Sequence, residues 1–221
     1  MAEIGIMADS IEQMVLSNPR ELASIRGNIL SAAEDRVVKT LYITSSNPRE
    51  GKTTTAVSIA YGLSAQASAR VLLVDVNFHA PAIHGLFNID SSPGFAELVQ
   101  GNSDYDMVIR KTETASLSII PCGASSVASL DVFRSEKFAE HLREFAKRFD
   151  YVIFDGYSFL SSSDASVVAG HFDGIILVVE CDKTRWEVVQ LAKEKINKVG
   201  GRILGAVLNR RKYYVPRAFY D

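Results

Sequence analysis

The sequence predicts an α/β fold in three layers, a mostly parallel twisted sheet with helices on both faces, and three features carry that expectation. Short runs rich in β-branched residues alternate with longer stretches of helical period. Several of these runs are apolar nearly throughout, as strands buried on both faces must be. A length of 221 residues with 47% hydrophobic and 23% charged side chains suits one large α/β domain, and disorder, collagen and coiled coil are poor readings of it.

The expected strands are VVKTLYIT (37–44), RVLLVD (70–75), LSIIP (117–121), YVIFD (151–155), GIILVVE (174–180) and RILGAVLN (202–209). Between the third and fourth, Phe138, Leu142, Phe145 and Phe149 recur at helical spacing and lay one aromatic stripe toward the sheet. Residues 1–18 read as an N-terminal lead, 19–209 as the domain, and 210–221 as a basic tail bearing tyrosines. No internal repeat or low-complexity linker interrupts this order. A formal charge of −2 gives no global attraction to nucleic acid, so a polyanion would have to be held at a local site. The two cysteines, Cys122 and Cys181, lack metal-ligand spacing and suit a reducing compartment. The start of the chain has no basic segment leading into an apolar core, and the longest apolar run, Ile175–Val179, is far short of the ~20 residues of a membrane span. A cytoplasmic protein is expected.

Directly after the first strand comes SSNPREGKTTTAVSIAYGL, with Gly51-Lys52-Thr53 placed as the end of a P-loop. The residue types have physical reasons. Glycine lets the backbone turn its N–H groups toward phosphate oxygens, lysine neutralises the β- and γ-phosphates, and the threonine hydroxyl ligates Mg²⁺. A helix starting near Lys52 adds the positive end of its dipole. Ser46, Asn47, Pro48, Arg49, Glu50, Gly51, Lys52, Thr53 and Thr54 are therefore the candidate ATP- or ADP-binding residues, in a P-loop NTPase fold. Ser46 stands where the full pattern has its first glycine, and Arg49 stands where glycine would ease the turn. Arg49 reads either as charge beside the phosphates or as a solvated loop tip.

Two apolar strands run straight into carboxylates, Asp75 and Asp155, at the sheet edge where ligands bind in such folds. Thr53, Asp75 and Asp155 are the candidate Mg²⁺ residues, and Lys52, Asp75 and Asp155 the candidate catalytic ones. Asp164 reads as a helix N-cap, with a position facing the site as the second reading. His79, His84, Cys122 and Trp186 read as packing or loop residues. No Ser-His-Asp order, nucleophile elbow or paired-carboxylate hydrolase pattern is present.

With these motifs in order, the chain resembles the bacterial tyrosine (BY) kinases of capsule and exopolysaccharide export, over about residues 20–220. The resemblance is carried by the P-loop, by Asp75-Val76-Asn77-Phe78-His79 with Pro81 and His84-Gly85-Leu86-Phe87, and by PGFAELVQG, FDYVIFD, DASVVAG, FDGIILVVE, KTRWEVV and GAVLNR. It implies an ATP- and Mg²⁺-dependent autokinase partnered by the cytoplasmic segment of a polysaccharide co-polymerase membrane protein, which would recruit it to the inner face of the membrane. It also implies Tyr213, Tyr214 and Tyr220 as phosphoacceptors, modified by a neighbouring subunit. The other reading of that tail is an exposed basic segment whose aromatics pack on the domain or on a partner.

Departures fall on the chemistry. Asn77 stands where the family has a second aspartate, His79 where it has arginine, and Gly156-Tyr157-Ser158 where it has Thr-Pro-Pro. The family's self-assembly motif, Glu-x-x-Arg-x-x-Arg, is reduced to Arg20-x-x-Ala23-x-x-Arg26, so a mainly monomeric chain is expected. A kinase of reduced activity is the leading expectation. A regulatory pseudokinase is the second. A ParA/MinD-type positioning ATPase is the third, because that group has a lysine where this chain has Asn47.

Overall fold

The computed structural model describes residues 19–32, 38–67, 69–124 and 129–211. Along the chain the elements are α1 (Pro19–Ala32), β1 (Thr40–Ser45), α2 (Lys52–Ala67), β2 (Val71–Asp75), α3 (Ile83–Leu86), α4 (Phe95–Gln100), α5 (Tyr105–Val108), β3 (Arg110–Lys111), β4 (Leu117–Ile120), α6 (Ser129–Arg134), α7 (Glu136–Arg148), β5 (Tyr151–Ser158), α8 (Ser163–Val168), β6 (Gly174–Glu180), α9 (Trp186–Lys198) and β7 (Ile203–Asn209). A short 3₁₀ turn, Ala169–His171, follows α8. The sheet order is β3-β4-β2-β5-β1-β6-β7. Every pairing is parallel except that of β3 with β4.

Alternation along the buried strands splits the core into two layers. Leu41, Ile43, Val71 and Leu73 pack with Ile29 of α1 and Ile59 and Leu63 of α2 on one face. Tyr42, Leu72, Val74 and Phe154 pack with Phe95, Phe138, Leu142 and Phe145 on the other. Each fully buried aliphatic side chain contributes ~1.5–3 kcal/mol, so the fully apolar strands fix the central order of the sheet. Helix α7 presents the expected aromatic stripe: Phe138, Leu142 and Phe145 are buried, and Phe149 packs against the same cluster. Its N-terminus is capped by Ser135, whose hydroxyl accepts from the Lys137 N–H.

Four details differ from the sequence reading. The two-residue edge strand β3 has no apolar pattern to announce it. Strand β5 does not stop at Asp155 but continues through Ser158, because the Tyr157 N–H donates to the Tyr42 hydroxyl at 2.9 Å. Gly156 is required there, since a Cβ would lie 2.1 Å from the Tyr42 ring. The N-cap of α8 is Ser162, which accepts from the Asp164 N–H, and Asp164 is a buried residue of the first turn. Trp186, expected to pack or lie in a loop, opens α9 with 68% of its surface exposed. Among the described residues, no helix is long and apolar enough to cross a membrane. The expected lead (1–18), the tail tyrosines Tyr213, Tyr214 and Tyr220, and the side chain of Arg26 lie outside what is described.

Candidate functional site

Strand β1 enters the sheet between β5 and β6, and its C-terminal end delivers the loop Ser46–Gly51 onto the N-terminus of α2. Loop and strand end are pinned to β5's extension: the Phe159 N–H donates to the Ser45 carbonyl at 2.7 Å, and the Leu160 N–H to that of Ser46 at 3.2 Å. Arg49 has φ +65° and Gly51 φ +96°, so the loop does take the left-handed turn at the position where the full pattern has glycine. Pro48, Arg49 and Thr54 are exposed, Asn47, Gly51 and Thr53 are half-buried, and Ser46, Glu50 and Lys52 are buried.

Glu50 holds the loop from inside. Its carboxylate accepts from the Asn47 N–H at 3.2 Å, from the Asn47 amide at 3.3 Å, and from the Thr184 hydroxyl. The Glu50 carbonyl in turn accepts from the Asn209 amide at 2.9 Å. A Cβ on Gly51 would meet that same amide nitrogen at 2.0 Å. Asn209 and Thr184 were not anticipated as site residues. Asn209 carried the same signal as the two aspartates, a polar residue ending an apolar strand at this sheet edge.

Asp75 and Asp155 are register partners on β2 and β5, which places the two carboxylates side by side at the C-terminal edge. Their surroundings differ. Asp75 accepts from the backbone N–H groups of Asn77 at 3.0 Å, Ala82 at 3.0 Å and Ile83 at 3.1 Å, and so fixes the turn after β2. Burial raises its carboxyl above the ordinary range, and these N–H donors oppose the rise. Asp155 is fully buried and neither of its oxygens has a hydrogen-bond partner of ordinary geometry among the described residues. Burial, with the Asp75 charge second, pushes its carboxyl up to about 8; the Thr53 hydroxyl and Lys52 oppose the shift. Burial also pulls the Lys52 ammonium below the usual lysine value, against the attraction of Asp155 and Glu50.

A buried carboxylate that lacks hydrogen bonds of ordinary geometry and lies beside a hydroxyl fits a hard cation better than it fits a structural aspartate. Among the described residues no group of three or more His, Cys, Asp or Glu is placed to hold a metal. A Mg²⁺ ion at Asp155 and Thr53 would therefore take its other ligands from phosphate oxygens and water, as that ion does at nucleotide sites. Ser46, whose buried hydroxyl also has no partner among the described residues, lies on the same loop.

Residues 15–204 match the AAA domain family. The tyrosine-protein kinase YwqD of Bacillus subtilis (strain 168) is 30% identical over 195 residues, 88% of this chain and 82% of that protein. The putative tyrosine-protein kinase CapB of Staphylococcus aureus is 29% identical across 89% of this chain and 86% of its own length. The crystal structure of the chimerical protein CapA2B2 superposes with a TM-score of 0.82 at 29% identity, covering 87% of this chain and 84% of that one. On the match over residues 15–204 and the 30% identity along most of both chains, the chain belongs to the bacterial tyrosine-kinase family, within the AAA domain family.

Proposed function

We propose that the chain is an ATP-dependent protein-tyrosine kinase that seats Mg²⁺-nucleotide on the loop Ser46–Thr54 and modifies tyrosines of its own tail, Tyr213, Tyr214 and Tyr220. The observation that carries this reading is Asp155: a fully buried carboxylate that no hydrogen bond of ordinary geometry satisfies among the described residues, beside the Thr53 hydroxyl and the Lys52 charge. Loop N–H groups and the Lys52 ammonium neutralise phosphate charge, and the α2 dipole adds to them. Thr53 and Asp155 would hold a Mg²⁺ ion, which would supply neutralisation of phosphate charge. Asp75, one strand away in register, is the remaining carboxylate for a phenolic proton. Asn77 is a neutral amide and takes no part in that, so the activity is slow.

Following the resemblance, the partner is the cytoplasmic segment of a polysaccharide co-polymerase, and recruitment to the inner membrane face runs through it. A regulatory pseudokinase is the second reading, favoured by Asn77 and His79 in place of the family's aspartate and arginine. Incubation with ATP and Mg²⁺ followed by mass spectrometry of the tail distinguishes the two. Phosphotyrosine in wild type and none in Lys52→Ala supports the kinase. Bound nucleotide without phosphotyrosine supports the pseudokinase.

A further inference from the structure

Two of the three departures from the family pattern meet in space. His79 belongs to the turn after β2, and Tyr157 to the extension of β5, yet their ring centroids are 4.9 Å apart. The Tyr157 hydroxyl accepts from the Phe78 N–H at 3.2 Å, inside the same turn. His79 Nε2 lies 3.6 Å from Oδ2 of Asp164, a buried residue of α8, and the contact is an ion pair when the imidazole is protonated. Tyr157 is itself fixed, its N–H on the Tyr42 hydroxyl and its carbonyl accepting from Thr44 at 2.6 Å. The turn is closed by the Ala80 N–H on the Asn77 carbonyl at 3.0 Å, and it leaves the sheet where the Val76 N–H donates to the Asp155 carbonyl at 3.0 Å. Asn77 is thus one residue from Asp155's ladder bond, on a turn held from its far side by His79, Tyr157 and Asp164.

We infer that His79, Tyr157 and Asp164 form one positioning unit that holds the Asn77–Ala80 turn, which abuts the site through the Asn77 N–H on the Asp75 carboxylate and the Val76 N–H on the Asp155 carbonyl, and so sets the Mg²⁺-dependent part of nucleotide affinity. The substitutions at 79 and 157 are then one compensated change. A proline at 157, as in the family's Thr-Pro-Pro, has neither the hydroxyl that takes the Phe78 N–H nor a ring of that kind for the imidazole. This inference rests on the nucleotide reading above for its ligand, although the unit itself is testable without one.

The first measurement uses the protein with no nucleotide. Hydrogen exchange at Phe78 should speed up by about tenfold in Tyr157→Phe, which removes the acceptor and keeps the ring. His79→Ala and Asp164→Asn should speed it by about threefold to tenfold. Unchanged protection of Phe78 in all three variants would overturn the unit, whatever the protein binds. The second measurement is ADP affinity by calorimetry with and without Mg²⁺. His79→Ala and Asp164→Asn should each weaken Mg²⁺-ADP by about fivefold or more, with metal-free ADP unchanged, and the double variant should lose no more than either single one. His79→Arg, unlike His79→Ala, should keep the wild-type affinity, since a guanidinium can both stack on Tyr157 and pair with Asp164. Additive losses, or equal losses with and without Mg²⁺, would show two unrelated structural roles and overturn the inference. Wild type that binds no ADP under either condition would sink the nucleotide reading, and with it the Mg²⁺ role, while the exchange result still decides the unit. Thermal unfolding of each variant confirms that the fold persists, and Tyr157→Phe and Asp164→Asn conserve shape.

Discussion

Replacing Asp155 by asparagine should make the nucleotide-free protein more stable while removing its response to Mg²⁺. The folded carboxyl is pushed up to about 8 from a reference of 3.8, chiefly by burial. The sign follows from linkage. Below the reference value both states carry the proton and folding is unpenalised; as pH rises toward the folded value the unfolded chain releases its proton and the folded one does not, so stability falls across that window. At pH 7, about three pH units above the reference, the penalty is on the order of 4 kcal/mol. An asparagine escapes it but leaves its own amide short of partners, which offsets ~1–3 kcal/mol. A net gain on the order of 2 kcal/mol remains, a rise of roughly 4–8 °C in Tm for a domain of this size. Melting curves of wild type and Asp155→Asn between pH 5 and 8, with and without Mg²⁺-ADP, give the answer. The two proteins should converge at the acid end and separate as pH rises, and added Mg²⁺-ADP should stabilise wild type far more than the variant. Equal pH slopes for the two would refute the argument that Asp155 is a frustrated carboxylate awaiting a cation.

Three further outcomes follow from packing and charge. Gly51→Ala should weaken nucleotide binding by calorimetry by an order of magnitude or more, because its Cβ would lie 2.0 Å from the Asn209 amide and φ is +96°. Gly156→Ala should destabilise the domain by about 2–4 kcal/mol in a urea titration, since the Tyr42 ring that blocks the new Cβ is fully buried between strands. Asn77→Asp combined with His79→Arg should raise tail phosphorylation above either single change, measured as phosphotyrosine by mass spectrometry, because the family's negative and positive charges return together. A silent double variant would place the defect elsewhere.

Much of this arrangement was legible in the sequence because it depends on local or one-dimensional rules. VLLVD and GIILVVE are apolar up to a terminal carboxylate, which only a strand covered on both faces tolerates, and both lie inside the parallel sheet with every residue buried. Asp75 and Asp155 announced themselves as charges ending apolar strands, and the structure brings them into register. What separates them was not legible. The three N–H donors on Asp75 come from the irregular segment after β2, which also meets Tyr157, far away in the chain, through the Phe78 N–H. The expected strand ended at Asp155, yet Gly156-Tyr157-Ser158 continues β5, with the Tyr157 N–H on the Tyr42 hydroxyl. Asp164 matched an N-cap by residue type, but Ser162 reaches the free N–H first and leaves the aspartate to face His79. Bracing of the P-loop by Asn209 links residues 159 positions apart, and no local pattern encodes it.

Nucleotide placement on the loop is tested by a calorimetric titration of Mg²⁺-ATP into wild type and Lys52→Ala at matched pH and salt. Lys52 is buried against Asp155 and Glu50 at the loop's end, so its loss removes the main side-chain neutralisation of the phosphates. Wild type should show saturable binding at one site per chain, and the variant should lose at least about tenfold in affinity. Equal affinity in the two proteins would contradict the placement of nucleotide on the loop that ends in Gly51-Lys52-Thr53.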